Sequence, residues 1–198
     1  MAKYPPTIQR LIDEFSHLPT IGPKTAERFV MHLLNRPDDA GRLIDAITLL
    51  RQQVTRCVTC NTFSEKSPCY ICSNSQRQAD LLCVVATTAD LAAIESTDAY
   101  HGRYYVLGGT LEPLGDQTAS ISFDGLVRHV TAGSIGEIIL AFDPTIEGEA
   151  TALAIVQALK PLNIKISRLA RGLPMGSQLI YADEVTISNA FEGRKTIS

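Results

Sequence analysis

No apolar run in this chain approaches the ~20 residues that a membrane-crossing helix needs, so a helical membrane protein is excluded. No apolar signal segment precedes Cys57, which sets the expected compartment as the cytoplasm and argues against disulfide chemistry. There is no Gly-x-x-x-x-Gly-Lys-[Ser/Thr] loop. The fragment Gly22-Pro23-Lys24-Thr25 lacks both the adjacent Gly-Lys and a preceding strand, so phosphate-loop nucleotide binding is excluded. The four histidines, His17, His32, His101 and His129, share no ligand spacing and join no acid or nucleophile in a triad. Excess charge is also scarce, the net value being −3 over 198 residues. Residues 1–56 hold eight Lys/Arg against six Asp/Glu, and the remainder ten against fifteen. Any grip on phosphate must therefore rest on local geometry at the amino end as much as on bulk field.

What is present is concentrated in Cys57–Cys72, CVTCNTFSEKSPCYIC, where two Cys-x-x-Cys pairs flank eight residues. Each pair can turn its sulfurs to one side of a tight knuckle, and Asn61–Pro68 can bring the second pair opposite the first. Four thiolates at about 2.3 Å complete a tetrahedral Zn²⁺ and leave no position for water, which makes the site structural. Two disulfides or a redox pair are the alternatives. A redox motif, however, wants one Cys-x-x-Cys opening a helix after a strand. Cys57, Cys60, Cys69 and Cys72 are thus assigned one structural zinc, whose binding supplies folding energy on the order of 10 kcal/mol to a knuckle too short for its own core. The fifth cysteine, Cys83, sits in the apolar run Leu81–Val85 and reads as a core residue.

Before the knuckle, periodicity predicts three helices. Ile8, Leu11, Ile12 and Phe15 form the first stripe, and Ala26, Phe29, Val30 and Leu33 the second. A third helix is capped by Asp38 or Asp39 and carries Leu43, Ile47, Leu50 and Val54. Between the first two, LPTIGPKTAERF resembles the helix-hairpin-helix motif, with Thr20 where its first glycine usually stands. Such a turn leaves amides across Ile21–Lys24 free at a helix N-terminus, a place for a phosphate oxygen. Ile21, Gly22, Lys24, Thr25 and Arg28 are the candidate DNA-binding residues, reading backbone and not bases. A plain helical hairpin, with Gly22 serving only the turn, fits the same residues.

After the knuckle, strands and helices alternate. Strands are expected at Leu81–Val85, Tyr104–Leu107 and Ile138–Phe142, and a further one is marked by Ile164, Ile166 and Leu169. Thr88 caps a helix with Leu91 and Ile94, a loop fills Glu112–Asp124, and Leu126–Val130 is a short helix. Glu147–Lys160 is a helix with Ala150, Leu153, Ala154 and Ala158 inward. The fold class is α/β in a multi-part α+β chain: helical hairpin, zinc knuckle, an open parallel sheet with helices on both faces, and a short tail. Asp143, Glu147 and Glu149 then fall at the carboxyl edge of the sheet. They could hold Mg²⁺ for phosphoryl chemistry, or simply be an acidic first helical turn.

The order of these parts, with DPTIEGEATA at Asp143–Ala152, RLARGLPMG at Arg168–Gly176 and DEVTISNAFEGR at Asp183–Arg194, resembles the bacterial recombination mediator family RecR. The resemblance divides the chain into a helix-hairpin-helix region (1–55), a four-cysteine zinc finger (56–76), a Toprim domain (77–173) and a carboxyl-terminal segment exchanged between subunits (174–198). It implies a non-enzymatic, nucleoid-associated protein forming a dimer or ring-shaped tetramer. Such a protein binds single- and double-stranded DNA without sequence preference and acts with RecO, and in many bacteria RecF, to load RecA. It places Lys24 and Arg28 towards DNA and makes Asp143, Glu147 and Glu149 the face that meets RecO. Catalytic Toprim domains carry a glutamate after the first strand and an Asp-x-Asp pair after the central one; this chain has Ala86 and Thr145 there. That departure separates the mediator reading from its alternative, a Mg²⁺-dependent Toprim nuclease or primase. A zinc-ribbon adaptor without DNA contact is a third.

Overall fold

The computed structural model describes residues 3–112 and 121–196, and it divides into two compact units, Met1–Val54 and Thr55–Ser198.

The first unit is helical. α1 (Pro6–Ser16) and α2 (Pro23–Asn35) each begin with proline in the first turn, where the missing N–H costs no hydrogen bond. They pack through Ile12, Ala26 and Val30, with Ile8, Phe15 and Ile21 around them, and Phe15 meets Phe29 edge-on at 5.9 Å. α3 (Pro37–Gln53) starts earlier than the acidic cap predicted for it. Pro37 opens the helix, and Asp38 and Asp39 occupy its first turn, where they face the positive end of the macrodipole. Its stripe of Leu43, Ile47 and Leu50 forms as expected, yet α3 buries no side chain.

The second unit is built on a four-stranded, all-parallel sheet in the order β4-β3-β5-β6. These strands are β3 (Gln78–Val85), β4 (Gly102–Val106), β5 (Glu137–Ala141) and β6 (Lys165–Arg168). A short antiparallel pair, β1 (Thr55–Arg56) with β2 (Phe63–Ser64), opens the unit, followed by α4 (Tyr70–Ser73). Strand alternation divides the core. Leu82, Val84, Ile138 and Leu140 point to one face, beneath α6 (Asp124–Ala132) and α7 (Ile146–Leu159). Cys83, Val85, Tyr104 and Val106 point to the other. That second face is covered by α5 (Thr88–Glu95) together with the cysteine knuckle, so a zinc site forms part of a layer where helices alone were predicted. Cys83 is buried as predicted, and burial pushes its thiol up to about 12.

Two local expectations need correction. The cap of α5 is Thr87, not Thr88; its hydroxyl accepts from the Asp90 amide while Asp90 reaches back to the Thr87 amide, a reciprocal capping box. In α7 the inward residues are Gly148, Thr151, Ile155 and Leu159, and Leu153 is exposed. Gly148 sets this rotation, because any Cβ there would collide with the Asp143 carbonyl. Thr151 is tolerated inside because its hydroxyl donates to the Glu147 carbonyl (2.6 Å) and accepts from the Leu111 amide (2.8 Å). The loop expected over Glu112–Asp124 lies largely outside the described residues, and α6 already begins at Asp124. A final helix, α8 (Glu184–Glu192), is capped by Asp183, whose carboxylate accepts from the Thr186 amide at 2.8 Å. Among the described residues no helix is long and apolar enough to cross a membrane.

Candidate metal centre and nucleic-acid interface

The knuckle is shaped by its backbone before any sulfur is considered. The Cys57 amide donates to the Thr62 carbonyl (2.8 Å) and the Asn61 amide returns to the Cys57 carbonyl (2.9 Å), closing the first turn. Asn61 takes φ +63°, a left-handed conformation that asparagine adopts more readily than most residues. On the other side the Cys69 amide donates to the Cys57 sulfur (3.3 Å), and α4 carries Cys72 back towards it. All four sulfurs lie within 4.8 Å of one another, with Cys60 and Cys69 at 3.6 Å. A tetrahedron of bonds of about 2.3 Å requires sulfur separations of roughly 3.8 Å, so the donor set fits a single zinc. Its protonation state agrees. Hydrogen bonding from the Cys72 thiol draws the Cys60 thiol down to about 6, and the Cys72 thiol is pushed up by the same contact. Without a cation the cluster can hold little thiolate charge; a divalent ion removes that restriction. This is a structural zinc site of four cysteines.

The knuckle is also fastened to the sheet. The Val106 amide of edge strand β4 donates to the Cys60 carbonyl (2.8 Å), and the Asn61 side-chain amide donates to the Val106 carbonyl (2.7 Å). Thr62, almost fully buried, joins the Thr88 hydroxyl at the start of α5 (3.2 Å). These anchors were not read from the sequence. An asparagine directly after a Cys-x-x-Cys, where a left-handed residue closes the turn, was the one signal available.

In the helical unit, Thr20 has φ +66°, so the turn still demands the conformation that glycine would supply. Gly22 is the N-cap of α2 and offers no side-chain cap. Contrary to expectation, not every amide in the turn is free. The Ile21 amide donates to the Leu18 carbonyl (3.1 Å) and Pro23 has none, which leaves those of Gly22 and Lys24. Lys24, Thr25 and Arg28 are exposed beside them, and neither cation has an ion-pair partner among the described residues. Glu27, between them in sequence, is turned to Lys3 (2.8 Å) and Tyr4 (2.5 Å); hydrogen bonding from Lys3 holds its carboxyl below the ordinary value.

The sheet-edge acids separate. Glu147 is exposed in the first turn of α7, where hydrogen bonds from its own amide and from Thr145 lower its carboxyl pKa. Glu149 is engaged by Arg168 (3.5 Å) and, more closely, by Arg171, and so ties α7 to the chain leading into the tail. Asp143 instead lines a cavity of about 580 Å³ with Arg168, Arg171, Asp183 and Asn189. Among the described residues, the four cysteines are the one group of three or more potential ligands whose donor atoms converge, and the three acids do not join them. Ala86 follows β3 at the position where a catalytic domain would present its glutamate.

Family models match the chain in four consecutive stretches. These are the RecR helix-hairpin-helix (residues 8–50), the RecR four-cysteine zinc finger domain (54–74), a Toprim domain (80–170) and the RecR carboxyl-terminal region (172–195). The Recombination protein RecR of Natranaerobius thermophilus is 43% identical over all of both chains. That of Bifidobacterium animalis subsp. lactis is 45% identical over 98% of each, and that of a Synechococcus strain 45% identical over 94% of this chain and all of its own. With matches of that identity along its whole length, the chain belongs to the RecR family.

Proposed function

We propose that this protein is a non-enzymatic mediator of DNA recombination and repair, a DNA-binding assembly protein carrying one structural zinc per chain. The carrying observation is the exposed corner at the start of α2. There two amides and the cations Lys24 and Arg28, all without a partner among the described residues, lie with the Thr25 hydroxyl at the start of one helix, which suits consecutive phosphates of a strand and reads no base. The relatives' name, Recombination protein RecR, supports the cellular role.

In this reading residues 1–55 contact DNA, 56–76 form the zinc finger, 77–173 form a catalytically idle Toprim domain, and 174–198 exchange between subunits. Ala86, Thr145 and the dispersal of Asp143, Glu147 and Glu149 support the loss of magnesium chemistry. The exposed apolar residues of α3 and of the tail, Ile180, Tyr181 and Phe191 among them, support assembly into a dimer or ring. Asp143 and Glu147 are the acids left available for RecO, while Glu149 holds Arg168 and Arg171 in place. RecF contact and promotion of RecA loading on single-stranded DNA complete the proposal, in the cytoplasm at the nucleoid.

Mobility-shift titration of Lys24→Ala/Arg28→Ala tests it. Affinity falls uniformly across sequences, and the salt slope becomes shallower by about 0.7–0.9 for each phosphate no longer neutralised. A double variant that binds like the wild type removes the hairpin from the reading. Magnesium-dependent cleavage or synthesis abolished by Asp143→Ala would restore the enzymatic alternative.

A further inference from the structure

A second basic site lies in the sheet unit, where the knuckle wraps the edge strand. An open cavity of about 520 Å³ is lined by Arg56 and Thr59 of the knuckle, Tyr105 of β4, and Gly125, Arg128 and His129 of α6. No carboxylate lines it among the described residues. Arg56 is held in place by its guanidinium lying over the Phe63 ring (4.5 Å) and by donation to the Asn61 carbonyl (3.1 Å). Arg128 is exposed and has no ion-pair partner among the described residues.

The far wall is aromatic. Tyr105 and His129 stack at a tilt, ring centroids 5.4 Å apart, and the Tyr105 hydroxyl rests against Gly125, where a Cβ would collide with it. Arg103, two residues before Tyr105 on the same face of β4, has a buried Nε with no partner among the described residues. Burial, with the Arg103 charge adding to it, holds the His129 imidazole below its ordinary pKa. Two guanidinium groups, Arg56 and Arg128, thus line one groove that holds no carboxylate among the described residues, next to two rings able to meet a base.

We propose that this groove binds the sugar-phosphate backbone of a nucleic-acid strand, Arg56 and Arg128 taking phosphate oxygens and the Tyr105–His129 wall facing a base. The site is separate from the α2 corner; it rests on the DNA-binding reading only for the identity of its polymer. The tetrathiolate zinc beside Arg56 carries net negative charge, so the loaded protein is the proper reagent.

The test is fluorescence anisotropy of labelled oligodeoxythymidylate with the intact, zinc-loaded chain across a salt series. Five proteins are compared: wild type, Arg56→Gln/Arg128→Gln, Arg128→Gln alone, Lys24→Ala/Arg28→Ala, and the quadruple variant. The groove pair is expected to weaken binding roughly three- to tenfold, with the salt slope shallower by roughly 1.4, about 0.7 for each phosphate on a single strand. Arg128→Gln alone, at an exposed helical position with the zinc content unchanged, gives about half that slope change and guards against damage to the knuckle. If the groove pair binds as wild type while the α2 pair is weakened, the groove proposal falls and the hairpin reading stands. The reverse sinks the hairpin and keeps the groove, and no weakening in either arm sinks both. The His129 ring resonance gives a local readout: it shifts on adding the oligonucleotide in wild type and not in Arg128→Gln. A shift with inorganic phosphate alone, and none with the oligonucleotide, overturns the nucleic-acid assignment.

Discussion

Thr20 and Gly148 meet two different local demands, one of backbone conformation and one of space. Thr20 holds φ +66° with a β-branched side chain, a conformation that costs an L-residue about 1–2 kcal/mol. Thr20→Gly is therefore expected to stabilise the chain by up to about 1 kcal/mol, since part of the relief is offset by the greater freedom of glycine in the unfolded state. Chemical denaturation at fixed zinc would show a higher midpoint with an unchanged slope. Gly148 has no such slack, because a methyl group would strike the Asp143 carbonyl, which is backbone and cannot step aside. Gly148→Ala should cost about 2 kcal/mol or more by forcing α7 away from β5, and the same denaturation experiment reads it. The first site was visible in the sequence as a departure from a familiar turn. The second was not: α7 is rich in alanine, so several apolar stripes fit its composition equally well, and only contact with the preceding loop selects Gly148, Thr151, Ile155 and Leu159.

Among elements, the knuckle and the edge of the sheet form one mechanical unit. Cys60 and Asn61 take both the amide and the carbonyl of Val106, which protects an otherwise open part of the edge strand. Zinc removal by a strong chelator is thus expected to reach beyond the four cysteines. The melting temperature should fall, and hydrogen exchange at the Val106 amide should accelerate, while α1 and α2 keep their protection. The four ligand thiols should react promptly with a thiol reagent in the metal-free protein. Cys83, buried and with its thiol raised to about 12, should stay unreactive until the sheet itself unfolds. The other end of β4 is held by Arg77, which clamps Glu95 at the end of α5 (2.8 and 2.5 Å) and the Gly102 carbonyl (3.1 Å). Burial is the largest single influence on the Glu95 carboxyl and raises it, but hydrogen bonding, from the Arg77 guanidinium above all, and nearby positive charge together outweigh burial and bring the value below its ordinary one. A folded pKa depressed in this way adds stability above the ordinary value that is lost as pH falls below about 4.5, through the depressed value. Glu95→Gln should flatten that part of the stability–pH curve in acid titrations followed by circular dichroism. The cysteine spacing made the metal centre legible in the sequence, because ligand chemistry is local. The anchors were not, because Val106, Thr88 and Glu95 are brought to the knuckle and to Arg77 only by the parallel crossovers.

At the scale of the molecule, the helical hairpin, the zinc centre and the parallel sheet are legible in the sequence, since each is written in periodicity or spacing. That α3 leaves its apolar stripe exposed among the described residues is not. Ile44, Ile47 and Leu50 are 64%, 52% and 62% exposed, a stripe of branched side chains on a helix that buries none. Periodicity shows that a face is apolar and is silent about what covers it. Net charge in the helical unit is small, and the acidic remainder opposes DNA, so a single α2 corner with two cations should bind weakly. Several corners presented together would act through effective concentration, and avidity could exceed the single-site affinity by about a hundredfold or more. Ile47→Asp/Leu50→Asp separates these contributions, because both positions are exposed in the monomer and the changes leave its core intact. The variant should sediment as a smaller species, keep its zinc and its melting behaviour, and lose DNA affinity far beyond what two added carboxylates explain. Arg36→Glu/Arg51→Glu, a larger charge change at the two ends of the same helix, is the control and should cost only the electrostatic share. If the dissociated variant binds DNA as tightly per chain as the assembled protein, a single corner suffices and the multivalent account is wrong.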